Sequence, residues 1–294
     1  MSKATWETKN DGVIIRVPFK NTKDWYQWVL LTSDVHKDNK KCNTRKLKEV
    51  LDLAVERNAI IIDNGDWFDV MGGKYDKRST KSDIRPEFQF GNYFDLVIED
   101  SVEFLKPYAK NIAILGEGNH EQSVNQRHER NLTKQLIKEL NRETGSNIQH
   151  QQYDGFIKFQ FEQLASTGEI TKGAASLLMY RNHGLGGNAP VTMGVINTSR
   201  TQTMIDADIY VYGHIHQKWV VYRTKKSLNA DMNYTVKDQA HIQLSTFKDS
   251  KESQWEVSKG FSAPSLGGAW IKFSMGTNEK RGRFPKFEIT LIEG

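Results

Sequence analysis

The chain has 294 residues, with 41 Lys and Arg against 36 Asp and Glu for a formal charge of +5, and its pI is near 9.0. That length buries one large core or two small ones, and the composition excludes a fibre or a disordered tail. No stretch reaches the roughly 18 uninterrupted apolar residues of a membrane helix, and Met1 to Glu7 lack an apolar signal core, so the expectation is a soluble cytoplasmic protein without a membrane partner.

In chain order, residues 1–27 read as an N-terminal extension, and from Trp28 apolar runs alternate with amphipathic ones. That is the pattern of an α/β sandwich, two sheets with helices outside, expected here as one domain over 1–294 with a motif core at 28–217. The first strand is Trp28 to Thr32. Asn43 or Thr44 caps a helix whose apolar positions Leu47, Val50, Leu51, Ala54 and Val55 share one face. Cys42, the single cysteine, has no second thiol at metal-ligand spacing and reads as a surface or half-buried thiol in a reducing compartment. Strands follow at Ala59 to Ile62 and Ile112 to Leu115. Between them lie a polar insertion, Gly72 to Arg85, and a helix from Phe94 to Tyr108. A helix from Asn125 to Asn141 turns Leu132, Leu136, Ile137 and Leu140 inward and stops before Gly145. Ser176 to Tyr180 and Asp208 to Tyr212 are further strands. Past Gln217, residues 218–294 alternate at Trp219 to Tyr222, His241 to Leu244 and Trp270 to Phe273, predicting antiparallel strands that complete the second sheet.

Five histidines, His36, His120, His183, His214 and His216, follow apolar strands directly or within a few residues. Ligands bind outside the carboxyl ends of strands in α/β sheets, so the segments carrying them are expected to converge. The segments are Asp34-Val35-His36, Gly65-Asp66-Trp67-Phe68-Asp69, Gly118-Asn119-His120-Glu121, His183-Gly184 and Gly213-His214-Ile215-His216. In the first, the spacing of two points both side chains to one side, offering a metal an oxygen and a nitrogen. Asp66 has two oxygens with which to bridge two cations, and Asn119 adds a neutral oxygen. Trp67 and Phe68 read as packing, Gly184 to Gly187 as a loop, and Glu121 and Asp63 as solvated strand-end carboxylates.

The ordered series resembles the calcineurin-like metallophosphoesterase superfamily, whose pattern is D-x-H, G-D-x-x-D, G-N-H-[D/E], H and G-H-x-H. The match runs from Asp34 to His216. The resemblance implies a two-sheet α/β sandwich with two divalent metals at the strand ends. Asp34, His36, Asp66 and His216 would hold one, and Asp66, Asn119, His183 and His214 the other. It further implies that His120 faces the substrate phosphate and that Asp69 orients it by accepting a hydrogen bond from its ring. The oxygen and imidazole donors, with no thiolate, suit Mn ahead of Fe, Zn, Co, Ni or Mg.

Protein phosphatases of this superfamily carry Arg after the second Asp of G-D-x-x-D, where this chain has Val70. The arrangement is more similar to phosphodiesterases, to repair-type nucleases and to bacteriophage-encoded metallophosphoesterases. Basic residues cluster at Lys37, Lys40, Lys41, Arg45, Lys46 and Lys48, at Lys218, Arg223, Lys225 and Lys226, and at Lys280, Arg281, Arg283 and Lys286. The expected substrate is therefore a nucleotide or nucleic-acid phosphodiester. The alternatives are a phosphomonoesterase or pyrophosphohydrolase acting on a small substrate, and a non-catalytic binding module.

Overall fold

The computed structural model describes residues 3–70, 82–89, 91–186, 192–228, 231–249, 265–278 and 282–293. The chain opens on strands β1 (Thr5–Lys9) and β2 (Gly12–Phe19), within the stretch read as an extension. Along β2, Val13, Ile15, Val17 and Phe19 are buried and the residues between them are not, the period-two pattern of a strand with one face on a core. The run from Trp28 lies in β3 (Tyr26–Thr32).

Helix α1 (Thr44–Glu56) is capped by Asn43, whose side chain accepts from the backbone N–H of Lys46 at 3.0 Å. Leu47, Val50, Leu51 and Ala54 are buried, whereas Val55, expected on the same face, is 42% exposed. Eight residues past Leu47 the 3.6-residue turn has carried it to the edge of the apolar stripe. Cys42 is also buried, at 8% exposure, contrary to the expected surface or half-buried thiol. It sits in the core against α1, and burial pushes its thiol up to about 11.

Strand β4 (Ile60–Asp63), helix α2 (Tyr93–Leu105) with a 3-10 turn over Lys106–Tyr108, and strand β5 (Ile112–Gly116) follow the predicted order. Most of the insertion expected at 72–85 lies outside the described residues. The helix expected from Asn125 to Asn141 is instead two: α3 (Asn119–His128) and α4 (Leu132–Thr144). Glu129 breaks them in a left-handed conformation, φ 54°, and Asn131 caps the second by accepting from Lys134 N–H at 2.8 Å. Gly145 ends α4 at φ 63°, the left-handed stop the sequence predicts.

The remaining elements are β6 (Gln149–Gln151), β7 (Asp154–Leu164), β8 (Ile170–Asn182), α5 (Ile196–Met204), β9 (Ile209–Tyr212), β10 (Trp219–Leu228), β11 (Tyr234–Gln243), β12 (Ala269–Asn278) and β13 (Gly282–Leu291). One sheet runs β1-β2-β7-β8-β9-β11-β10 and the other β13-β12-β3-β4-β5-β6. Val29, Leu31, Ile60, Ile62 and Ile114 face the other sheet's Ile15, Phe159, Phe161, Val211 and Ile242. The alternate residues Leu30, Ile61 and Leu115 meet α1, α2 and α4 on the outer face. The α/β class with two sheets and outer helices stands.

One part of the expectation changes. The C-terminal strands do not all complete the second sheet. β10 and β11 do, antiparallel to each other with β11 parallel to β9, but β12 pairs antiparallel with β3 and with β13 in the sheet that holds β3, the first strand predicted. Alternation marks a strand without naming its partner. Among the described residues, no helix is long and apolar enough to cross a membrane.

Candidate metal centre

β3, β4 and β5 run parallel in one sheet, and β8 and β9 run parallel in the other. The chain leaves each at its carboxyl end through Thr32, Asp63, Gly116, Asn182 and Tyr212, and each exit leads into one of the five predicted segments. Asp34 and His36 are not aligned by strand alternation, as the spacing suggested. They lie beyond the strand with φ of 53° and 50°, and Asp66, His214 and His216 are likewise left-handed at 55°, 72° and 54°. Such residues are uncommon outside glycine and concentrate at functional sites. Two close approaches need glycine. A Cβ on Gly118 would run into the Asp66 carboxylate, and one on Gly213 into Ser33 and Asp34.

Each central aspartate divides its two oxygens. Oδ2 of Asp34 accepts from Ser33 Oγ at 2.6 Å and from His214 N–H at 2.9 Å. Its Oδ1 faces Nε2 of His216 at 3.1 Å, of His183 at 3.9 Å and of His36 at 4.0 Å. Oδ1 of Asp66 accepts from His120 N–H at 2.9 Å, leaving Oδ2 3.1 Å from His183 Nε2 and 3.8 Å from His120 Nε2. Nε2 atoms of His36 and His216 lie 3.4 Å apart, and Nδ1 of His214 is 2.7 Å from Asn119 Oδ1. One oxygen is fixed by the fold and the other is turned inward.

These inward atoms form three close groups: Asp34 with His36 and His216, Asp66 with His183 and His214, and His36 with Asp66 and His120. The first two follow the implied division except that Asp66, implied as a ligand of both ions, stands in the second group and not in the first, and Asn119 adjoins the second. His120 was expected to face the phosphate and bind no metal, yet its ring nitrogen falls within the third group.

The donor set fits cations on an observation of the fold itself. His183 is fully buried, its Nδ1 donates to the carbonyl of Asn64 at 3.0 Å, and its buried Nε2 has no hydrogen-bond partner. That nitrogen stands 3.1 Å from Asp66 Oδ2, so positive charge belongs at this point, either as a proton on Nε2 or as a cation to which the neutral ring's lone pair and the carboxylate both turn. The same demand appears in its protonation: burial opposes the charged ring, but Asp66 and Asp34 outweigh it and lift His183 to about 9. Burial pushes Asp34 and Asp66 up, yet His183 and the neighbouring rings hold both below the usual carboxylate range. His36, by contrast, is held down to about 4 by burial.

Asp69 differs from its expected role. The contact to Nδ1 of His120 comes from the Asp69 backbone carbonyl, not its carboxylate. The carboxylate instead lies 2.9 Å from His36 Nδ1, accepts from Asn39 Nδ2 at 2.9 Å and from Lys248 Nζ at 3.1 Å. The left-handed turn at Val70 and the anchor of Asp38 carry the backbone past His120 and aim the side chain at His36. Oxygens of Asp38 accept from the N–H groups of Asp69 at 2.6 Å and Val70 at 2.9 Å, and the Tyr93 hydroxyl donates to the same carboxylate.

Two carboxylates expected to be solvated are buried. Glu121 accepts from the N–H groups of Asp66, Phe68 and Gly118 at 3.1, 2.9 and 2.8 Å, binding the second and third segments together. Asp63 accepts from Thr32 Oγ1 and Gly65 N–H, and burial raises it to about 7. Trp67 and Phe68 pack in the core as predicted, with Trp67 Nε1 donating to Ser101. Sequence reasoning missed Asp38, Asn39, Asn64 and Lys248. It also missed the fully buried Arg181, which donates to Asn64 Oδ1 at 2.8 Å and to Gln152 O at 2.7 Å and so braces the carbonyl that orients His183.

The family profile described as calcineurin-like phosphoesterase matches residues 28–218. The chain belongs to that family. No curated protein matches it. Among solved structures, a likeness is found to Vps29 of Chaetomium thermophilum, at 9% identity and a TM-score of 0.34 over 91% of this chain and 97% of that one. Another is to the Thermotoga maritima protein TM1076, at 12% identity and a TM-score of 0.31 over 90% and 99%. The family match ends at residue 218, so Lys248 reaches the centre from outside it.

Proposed function

We propose that the chain is a dinuclear-metal-dependent phosphoester hydrolase that acts on phosphodiesters of the nucleotide or nucleic-acid kind. The observation that carries the reading is the pair of Asp and His groups meeting at five strand ends, with the unpartnered Nε2 of His183 facing Asp66. Asp34, His36, Asp66 and His216 would hold one ion and Asp66, Asn119, His183 and His214 the other. When bound, such a pair binds phosphate oxygens, offsets charge in in-line displacement and acidifies water.

The chain's own residues supply the rest. Nδ1 of His120 is committed to the Asp69 carbonyl, so a second proton on that ring resides on Nε2, the nitrogen turned towards the cluster. From there it can stabilise the developing charge or pass to the leaving oxygen. The side chain is 15% exposed, open enough to meet a substrate and close enough to the cluster to act on it. Asp69 keeps His36 in one orientation through its carboxylate, while Asn64 does the same for His183.

The preference for diesters is supported by Val70, buried where a phosphomonoester-clamping arginine would stand. The basic residues near the first segment carry less weight than their number suggests. Lys37 is buried and paired with Asp100, and Lys40 faces Asp83. A Mn-loaded sample assayed on bis-p-nitrophenyl phosphate, p-nitrophenyl phosphate, cyclic nucleotides and single-stranded DNA tests the reading. Turnover confined to monoesters would refute the diester assignment.

A further inference from the structure

The Asp69 carboxylate adds negative charge beside His36, where an anionic ester would be repelled, and the ammonium of Lys248 offsets it. The ammonium of Lys248 lies 3.1 Å from Asp69 Oδ1, the oxygen that also faces His36 Nδ1 at 2.9 Å. Its mount is firm. Phe247 is fully buried, its N–H donates to the carbonyl of Asp34 at 3.1 Å, and its carbonyl accepts from Asn43 N–H at 2.7 Å. On either side, Thr246 Oγ1 donates to the same Asp34 carbonyl at 2.6 Å, and Asp249 N–H to the carbonyl of Lys41 at 2.8 Å. The segment is thus stitched onto the loop that carries Asp34 and His36.

An ammonium has three N–H donors, and Asp69 takes one. Asp69 is only 3% exposed, while the Lys248 side chain is 21% exposed, which puts the cation on the open side of the pair.

We propose that Lys248 is a substrate-binding residue: beside Asp69 and His36, its ammonium donates to a non-bridging oxygen of the phosphoester. The assignment rests on the phosphoesterase reading above and gives the loop after β11 a part in the site.

The test compares wild type, Lys248→Met and Lys248→Arg, all loaded with Mn. It measures metal content, kcat and KM on bis-p-nitrophenyl phosphate, and calorimetric binding of inorganic phosphate. Losing a charge-assisted contact worth about 1.5 kcal/mol corresponds to about tenfold. Lys248→Met is therefore expected to raise KM and weaken phosphate binding about tenfold, with metal content and kcat little changed, and Lys248→Arg to recover most of the loss. Unchanged KM and phosphate affinity would overturn the assignment, as would loss of metal in Lys248→Met, which would make the lysine a support for Asp69 alone. Wild type that binds phosphate more tightly than Lys248→Met but turns over no ester would keep the assignment and remove the hydrolase reading. Wild type that binds no phosphate would remove both.

Discussion

Nε2 of His183 lies 3.1 Å from Oδ2 of Asp66, while Nδ1 of the same ring is committed to the carbonyl oxygen of Asn64. Nε2 is therefore the ring atom turned towards the carboxylate, and Asp66 and Asp34 favour positive charge there, whether carried by a proton or by a bound cation. Asp66 also stands in two of the three close donor groups. Asp66→Ala, which removes the proposed bridge between the two ions, is expected to lose metal at both positions. Elemental analysis after dialysis checks the stoichiometry. Thermal unfolding adds a second readout: Mn at about a hundred times its Kd adds about 2.7 kcal/mol to wild-type stability, and the variant should show no such gain.

His120 is held through its ring to a backbone carbonyl and through its N–H to Asp66. His120→Ala keeps that N–H and removes the proton donor. Metal content should stay near wild type while kcat on a diester falls by about a hundredfold or more, the usual size of acid–base assistance. Full retained activity would remove the role assigned to this side chain.

The loop from Asp66 to Val70 hangs on Asp38, whose buried carboxylate serves two N–H groups and the Tyr93 hydroxyl. Asp38→Ala strands those donors, and the expected cost is about 3 kcal/mol, read from the urea midpoint of the metal-free protein. Tyr93→Phe removes only one of the three and should cost about 1 kcal/mol. Equal losses in the two variants would contradict this ranking.

His241 stacks on Tyr210 with ring centroids 4.3 Å apart and accepts from the Tyr212 hydroxyl at 2.9 Å. Burial, with Arg223 nearby, holds it down to about 4 from 6.5. Above pH 6.5 neither folded nor unfolded chain protonates this ring, and its full contribution to stability is present. As pH falls from 6.5 towards 4, the unfolded chain takes up a proton that the folded chain refuses, so stability drops. His241→Phe should lose less Tm than wild type across that window in chelator-treated samples followed by circular dichroism. Parallel curves would show that this ring does not set the slope.

The sequence located the centre because its information is local. Short apolar runs predicted strands, and a strand must end somewhere, so Asp34, Asp66, Asn119, His183 and His214 could be placed at five such ends without knowing the sheet order. What escaped was relational. Nothing in Asp38 or Lys248 marks them as partners of Asp69, because each reaches it only through the path of the folded backbone. The exchange of roles at Asp69 is of the same kind, since which of its groups meets His120 depends on the folded path of the loop that Asp38 anchors. Glu121 was read as solvated for want of a view of the three N–H groups that surround it. In the C-terminal third, alternation announced strands, yet β12 could be assigned to the sheet that holds β3 only by its register against that strand.

The central claim is that a pair of metals held by these residues makes the chain a phosphodiester hydrolase. Titrating Mn into chelator-treated, dialysed protein while following hydrolysis of bis-p-nitrophenyl phosphate tests it most directly. The account predicts no turnover without metal and a rate that saturates at two bound equivalents per chain. Two bound equivalents without turnover, or turnover indifferent to chelator, would contradict it.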